Sequence, residues 1–127
     1  MKKSSKPFSI SKRIGSFSFA INGLRILIAN EHNARIHLVA AVLAIILSYW
    51  LSISAIEWIA VVLCIGWVFM AELFNSAVEY LADFVCGEHN EVIGKVKDLA
   101  AGGVLVSAIA SAIVGVIIFA PKLAFLI

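Results

Sequence analysis

Glu72, Asn75, Glu79 and Asp83 fall in the run AELFNSAVEYLAD, an otherwise apolar stretch. At 100° per residue their spacing places all four within an arc of about 80° on one helical face. A carboxylate in or near a bilayer is costly unless it is paired, so three on one face read as a functional site. The chemistry open to them is proton transfer, metal binding through oxygen, or transport. Glu31, Lys97 and Asp98 are further candidates, set at the edges of the apolar segments.

The elements that must position these residues are membrane helices. With 62% hydrophobic and 14% charged residues in a chain of 127, the composition falls short of the roughly 25–35% charge of a small soluble domain's surface. Charge-free stretches run from Leu38 to Ile56 and from Leu99 to Pro121, close to the ~20 residues that span a hydrocarbon core of about 30 Å. Trp58 to Ala71 is also charge-free, and it reaches spanning length only if the helix continues through the acidic stripe toward Val85. The expected fold is all-α: three transmembrane helices over 34–52, 57–86 and 97–121, preceded by an amphipathic surface helix over 14–31. Phe17, Ile21, Leu24 and Ile28 recur there at helical spacing, with Lys12 and Arg13 at the entry, as suits a helix lying on an anionic leaflet.

Orientation follows from the basic residues. Lys2, Lys3, Lys6, Lys12, Arg13, Arg25 and Arg35 precede the first span, Lys95 and Lys97 lie between the second and third, and Lys122 lies opposite. The positive-inside rule puts the N-terminus and the segment Cys86 to Asp98 in the cytoplasm, with the turn Leu51 to Glu57 outside between Trp50 and Trp58. The basic start leads into a run broken by Ser16, Ser18 and Asn22, which does not read as a cleavable signal. Counting inward from Trp58 at 1.5 Å per residue, Glu72 lies about 21 Å deep and Glu79 about 31 Å. That is the inner interface, where a lipid headgroup and a soluble ligand can both reach the same carboxylates. An enzyme acting on lipid is therefore expected, and Glu31, at the same interface, could join a metal site.

Other features carry less chemistry. Gly103, Ser107, Ser111 and Gly115 form a small-residue stripe that lets helices approach closely in lipid. Three helices can hardly enclose a polar stripe, so a neighbouring subunit in a closed cyclic assembly is expected to cover it. Gly87, Gly94 and Lys95 mimic a P-loop only loosely, since Val96 replaces the hydroxyl residue that would hold magnesium. Any nucleotide must then be held by carboxylate-bound Mg²⁺ and lysine. Lys97 and Asp98 suit a phosphate and a sugar hydroxyl. Cys64 and Cys86 read as packing residues, as does Trp67. His32, His37 and His89 share no metal-ligand spacing and read as solvated or headgroup-contacting. The basic residues match the membrane rule, so no nucleic-acid partner is expected.

The pattern Glu72-x-x-Asn75-Ser76-Ala77-x-Glu79-x-x-x-Asp83, followed by Lys97-Asp98-x-Ala100-Ala101, resembles the signature of the small prokaryotic diacylglycerol kinases, a family that includes undecaprenol kinases. GLRILIANEHNARIH resembles the family's segment with an acidic residue between surface helix and first span, so the likeness covers nearly the whole chain. It implies a homotrimeric bundle of three-span protomers in the bacterial cytoplasmic (inner) membrane, with active sites shared between subunits. It also implies transfer of the γ-phosphate of Mg-ATP to the primary hydroxyl of diacylglycerol, giving phosphatidic acid. By the same resemblance Glu72 is the general base and Glu31 and Glu79 hold Mg²⁺. Asn75 orients the phosphate, Lys97 neutralises its charge and Asp98 binds the nucleotide sugar, with Asp83 and Arg35 in support. The run Asn33-x-Arg35-Ile36-His37 resembles the undecaprenol kinase branch, where the proteobacterial diacylglycerol kinases have an acidic residue at the position of His37. Undecaprenol is therefore the alternative acceptor. A small proton-coupled transporter and a non-catalytic assembly protein are the readings from other classes.

Overall fold

The computed structural model describes residues 6–127; Lys2 and Lys3, part of the basic cluster used for orientation, lie outside the described residues. Four helices follow in chain order: α1 (Ile10–Asn30), α2 (His32–Trp50), α3 (Ala55–Val85) and α4 (Glu91–Leu126). The last three are long and apolar enough to cross a membrane. At 1.5 Å per residue α2 is about 28 Å long, the thickness of a hydrocarbon core, whereas α3 and α4 exceed it. The excess of α3 carries Glu79 and Asp83.

Local chemistry sets the ends. Ser9 caps α1 by accepting from the Lys12 N–H at 3.4 Å. Ser54 and Glu57 form a reciprocal capping box at the start of α3, the arrangement that satisfies two orphan N–H groups at once. Asn90 accepts from the Val92 and Ile93 N–H groups and so starts α4 at Glu91. That is six residues before the expected 97, so Lys95 joins Lys97 and Asp98 on the first turns of the helix. Pro121 does not end α4, which runs on to Leu126. The start of α1 likewise precedes the expected 14, at Ile10. Its exposed apolar residues include Phe17, Ile21 and Leu24 of the expected stripe and also Phe19 and Ile26 outside it.

A single extended residue, Glu31, separates α1 from α2. Arg35 reaches back across it, its guanidinium donating to the carbonyl oxygens of Ile28 at 2.7 Å and of Ala29. These carbonyls belong to the last turn of α1, where no intrahelical partner is available. The α2–α3 turn is tight, with Ser52 in the left-handed region at φ 50°. Tyr49 and Trp58 stack edge to face across it at 4.8 Å.

Packing is dominated by α3 against α4, with α2 on another side of α3 and α1 touching both α2 and α3. On α2 the residues turned inward are Ala34, His37, Ala41, Ala44 and Ser48, all small except His37, at alternating three- and four-residue steps. On α3 the matching seam runs Val61, Ile65, Val68, Glu72, Ser76, Glu79 and Ala82. Its apolar end joins Ile53 and Ile118 in the buried core near the α2–α3 turn, where Lys122 and Glu57 pair at 3.2 Å. Its other end is polar. From α4, Ser107 is buried and Ser111 donates to the Cys64 carbonyl oxygen at 3.5 Å, so these two members of the small-residue stripe face inward. Gly103 instead looks onto open space. Most of the remaining large apolar side chains, such as Ile36, Leu43, Leu63 and Ile117, face outward, as lipid-facing side chains do.

Candidate functional site

The seam of α3 changes character at Glu72. A helix packs on its neighbours through residues recurring every three or four positions, and beyond Val68 those positions are occupied by Glu72, Asn75, Ser76 and Glu79 instead of aliphatics. Glu72 is 2% exposed, a fully buried carboxylate, and Ser76 is buried one turn further on. Glu72 Oε1, Asn75 Oδ1 and Ser76 Oγ have no hydrogen-bond partner among the described residues. Three unsatisfied oxygens on one face are unusual, because an unmade bond at a buried polar atom costs about 1–3 kcal/mol.

Residues from other elements converge on the same face. His37 of α2 brings its Nε2 to 3.3 Å from Glu72 Oε1. The direction of that approach does not make a hydrogen bond, so Oε1 stays available. Glu31, at the α1–α2 break, and Glu79, two turns along α3, are both near enough to act on the Glu72 carboxylate through their charge. Further along, Lys97 of α4 reaches Asp83 at 2.5 Å with Glu79 close by. The site is thus a row: Glu31, His37 and Glu72 at one end, Asn75, Ser76 and Glu79 in the middle, Asp83 and Lys97 at the other.

Two expected members stand differently. Asp98, next to Lys97 but turned about 100° away, is exposed and makes no side-chain hydrogen bond or ion pair among the described residues. Arg35 points to the end of α1, and through that contact it holds the backbone on either side of Glu31. His37 is the member that sequence reasoning set aside as solvated or headgroup-contacting. The signal was its place in register with Ala34, Ala41 and Ala44, the alanines that mark the packed face of α2. Ser76 was quoted in the motif without a role, and it lies buried on the same face of α3 as Glu72, its hydroxyl without a partner among the described residues.

The donor set is oxygen-rich, as a hard cation requires. Mg²⁺ is usually held by one or two carboxylates together with waters and substrate phosphates rather than by an all-protein cage. Among the described residues no three His, Cys, Asp or Glu side chains gather into a metal-binding group. Glu31 and Glu79, the ligands expected from the sequence, are thus not gathered into a metal-binding group by the protein alone.

The sequence model described as prokaryotic diacylglycerol kinase matches residues 18–119. The chain is 38% identical over 108 residues to a Bacillus subtilis protein named undecaprenol kinase, covering 85% of this chain and 88% of the relative. It is 31% identical over 100 residues to the Escherichia coli K12 diacylglycerol kinase, covering 79% and 82%. A diacylglycerol kinase of Synechocystis is 36% identical over 109 residues, covering 85% of this chain and 62% of the relative.

Proposed function

The chain belongs to the prokaryotic diacylglycerol kinase family and is a membrane lipid kinase, a phosphotransferase with an alcohol acceptor; from that premise we propose that it phosphorylates the primary hydroxyl of undecaprenol, with diacylglycerol as the second acceptor. Membership displaces the transporter and assembly readings. The proposal reverses the order of acceptors expected above. Its support is the greater identity to the undecaprenol kinase together with His37 beside Glu72. The Synechocystis relative, named a diacylglycerol kinase at similar identity, keeps the second acceptor in play.

The observation that carries the mechanism is the buried Glu72 carboxylate, with an unpartnered oxygen on a face shared with Asn75 and Glu79. Glu72 accepts the proton of the lipid hydroxyl as its oxygen attacks the γ-phosphorus of ATP. The bond from that phosphorus to the bridging oxygen breaks and ADP leaves. Phosphoryl transfer needs chiefly positioning and charge neutralisation, and the row of side chains divides these tasks. Asn75 orients the transferring group and Lys97 balances phosphate charge, with Asp83 fixing its ammonium. Asp98, exposed on the next side of α4, is placed at the nucleotide sugar. Mg²⁺, when bound with the nucleotide, neutralises phosphate charge, and Glu31 and Glu79 are the residues that would hold it.

The site works at the cytoplasmic leaflet of the inner membrane, with the N-terminus inside, α1 lying on the leaflet as an amphipathic roof, and three protomers closing a trimer around the polar seam. The excess length of α3 beyond the hydrocarbon core supports a site at the interface. Purified protein in detergent-lipid micelles with Mg-ATP and either alcohol tests the reading: phosphate should pass to lipid, faster to undecaprenol. Transfer to neither alcohol overturns it, and a clear preference for diacylglycerol restores the other order.

A further inference from the structure

An apolar groove of about 320 Å³ runs along α3 between α2 and α4, and His37 lines it. Its walls are Ala40, Ala41 and Ala44 of α2, Val68 of α3, and Ala112 and Gly115 of α4. Small residues on both flanking helices open it, and its volume lies at the lower end of the ~300–1,000 Å³ of small-molecule sites. Apart from the Cys64 thiol, the hydrogen-bonding side chains in its wall are His37 and Ser111, and Ser111 is already bonded to the Cys64 carbonyl oxygen. His37 therefore stands at a junction. One side of its ring belongs to a hydrocarbon-lined groove, and its Nε2 approaches the catalytic carboxylate at 3.3 Å.

Resting on the kinase reading above, we propose that His37 is a positioning residue that closes the Glu72 end of this groove, holding the carboxylate toward the hydroxyl of a single-chain lipid alcohol whose hydrocarbon lies along the groove. A polyprenol is hydrocarbon up to the carbon that bears its hydroxyl, so an apolar wall of this size ending in one imidazole matches the isoprenoid units nearest the hydroxyl. Diacylglycerol brings two ester groups beside the hydroxyl, and polar groups moved out of water need partners that this wall does not offer. His37 acts through Glu72: it limits where the carboxylate can turn, and a carboxylate misplaced by about 1 Å is enough for a hundredfold loss of rate. Because the groove leads to the base from the side of α2 and α4, it leaves the Glu79 and Lys97 end of the row to the nucleotide.

The test compares full-length His37→Ala, His37→Gln and Gly115→Leu with the unaltered protein in micelles, using undecaprenol, a short-chain prenol and diacylglycerol as acceptors. His37→Ala should lower kcat for undecaprenol about 10- to 100-fold while KM for Mg-ATP stays within about twofold. His37→Gln, which keeps a polar side chain of similar reach beside the carboxylate, should recover a large part of that loss, a rescue that a fold defect would not show. A Cβ at Gly115 meets only the Phe119 ring at 4.0 Å, so leucine there projects into the groove. It should raise KM for undecaprenol roughly tenfold and KM for the short-chain prenol by less. Unaltered acceptor kinetics in His37→Ala, or an equal rise in its KM for Mg-ATP, overturns the proposal. So does a Gly115→Leu protein whose oligomeric size changes while its KM for undecaprenol does not, since the groove would then seat another copy of the chain. Failure of the unaltered protein to phosphorylate any of the three alcohols would instead remove the kinase reading itself.

Discussion

Glu72 and Glu79 share a helix face and a charge, yet the structure gives them different surroundings, which suit the different roles proposed for them. Glu72 is buried with a free oxygen, suited to meet a hydroxyl proton, whereas Glu79 is partly exposed and lies near the Lys97 ammonium. Replacing Glu72 by Gln should therefore lower kcat by about 10² to 10⁴, the usual range for a general base, with binding of Mg-ATP retained by equilibrium titration. Parallel loss of nucleotide binding would assign Glu72 to the metal instead. Replacing Glu79 by Gln should raise KM for Mg-ATP, partly restored by excess Mg²⁺, and steady-state kinetics at varied Mg²⁺ would show it. Glutamine fits both sites sterically, so the two variants differ only in what the lost charge did.

Between α1 and α2 one extended residue carries a proposed metal ligand, and the clamp from Arg35 to the Ile28 and Ala29 carbonyls keeps that break in place. Charge-assisted hydrogen bonds contribute about 1.5–3 kcal/mol, less where water competes, as it does at exposed Arg35. Arg35→Ala should thus speed amide exchange in the last turn of α1 and weaken Mg-ATP binding, while leaving exchange in α3 and α4 unchanged. At the opposite corner, Lys97 and Asp83 tie the end of α3 to the start of α4. Asp83→Asn should release the lysine and raise KM for Mg-ATP more than it changes thermal stability, because the exposed pair is worth little to the fold. A melting temperature that falls while KM holds would make the pair a structural tie.

The three long helices present apolar side chains outward nearly everywhere, and the polar row lies along the α3 seam toward one end. Such a surface requires lipid around it. The proposed arrangement has a direct consequence for Cys86, which follows α3 at the end nearest the polar row. In a Cys64→Ala background, a membrane-impermeant thiol reagent should label Cys86 in inverted vesicles and not in right-side-out ones. The opposite labelling would place the carboxylates away from cytoplasmic nucleotide. Cross-linking in membranes should end at a trimer, the closed form proposed to cover the exposed flank of the seam.

Composition and charge were sufficient for the class of fold, because 20-residue apolar runs have only one stable state in lipid and the helix completes its own hydrogen bonds. The acidic row was legible for a similar reason: a helix converts spacing into a shared face. Helix starts were less so, since α4 depends on one capping side chain, Asn90, that a charge pattern does not weigh. Contacts across helices were outside reach altogether. That His37 meets Glu72, that Lys97 turns to Asp83 while Asp98 turns away, and that alanines on two helices open a groove between them all depend on how α2 and α4 pack against α3. Those partners lie far apart in the chain, and periodicity fixes a residue's direction on its own helix but not which neighbour it will find there.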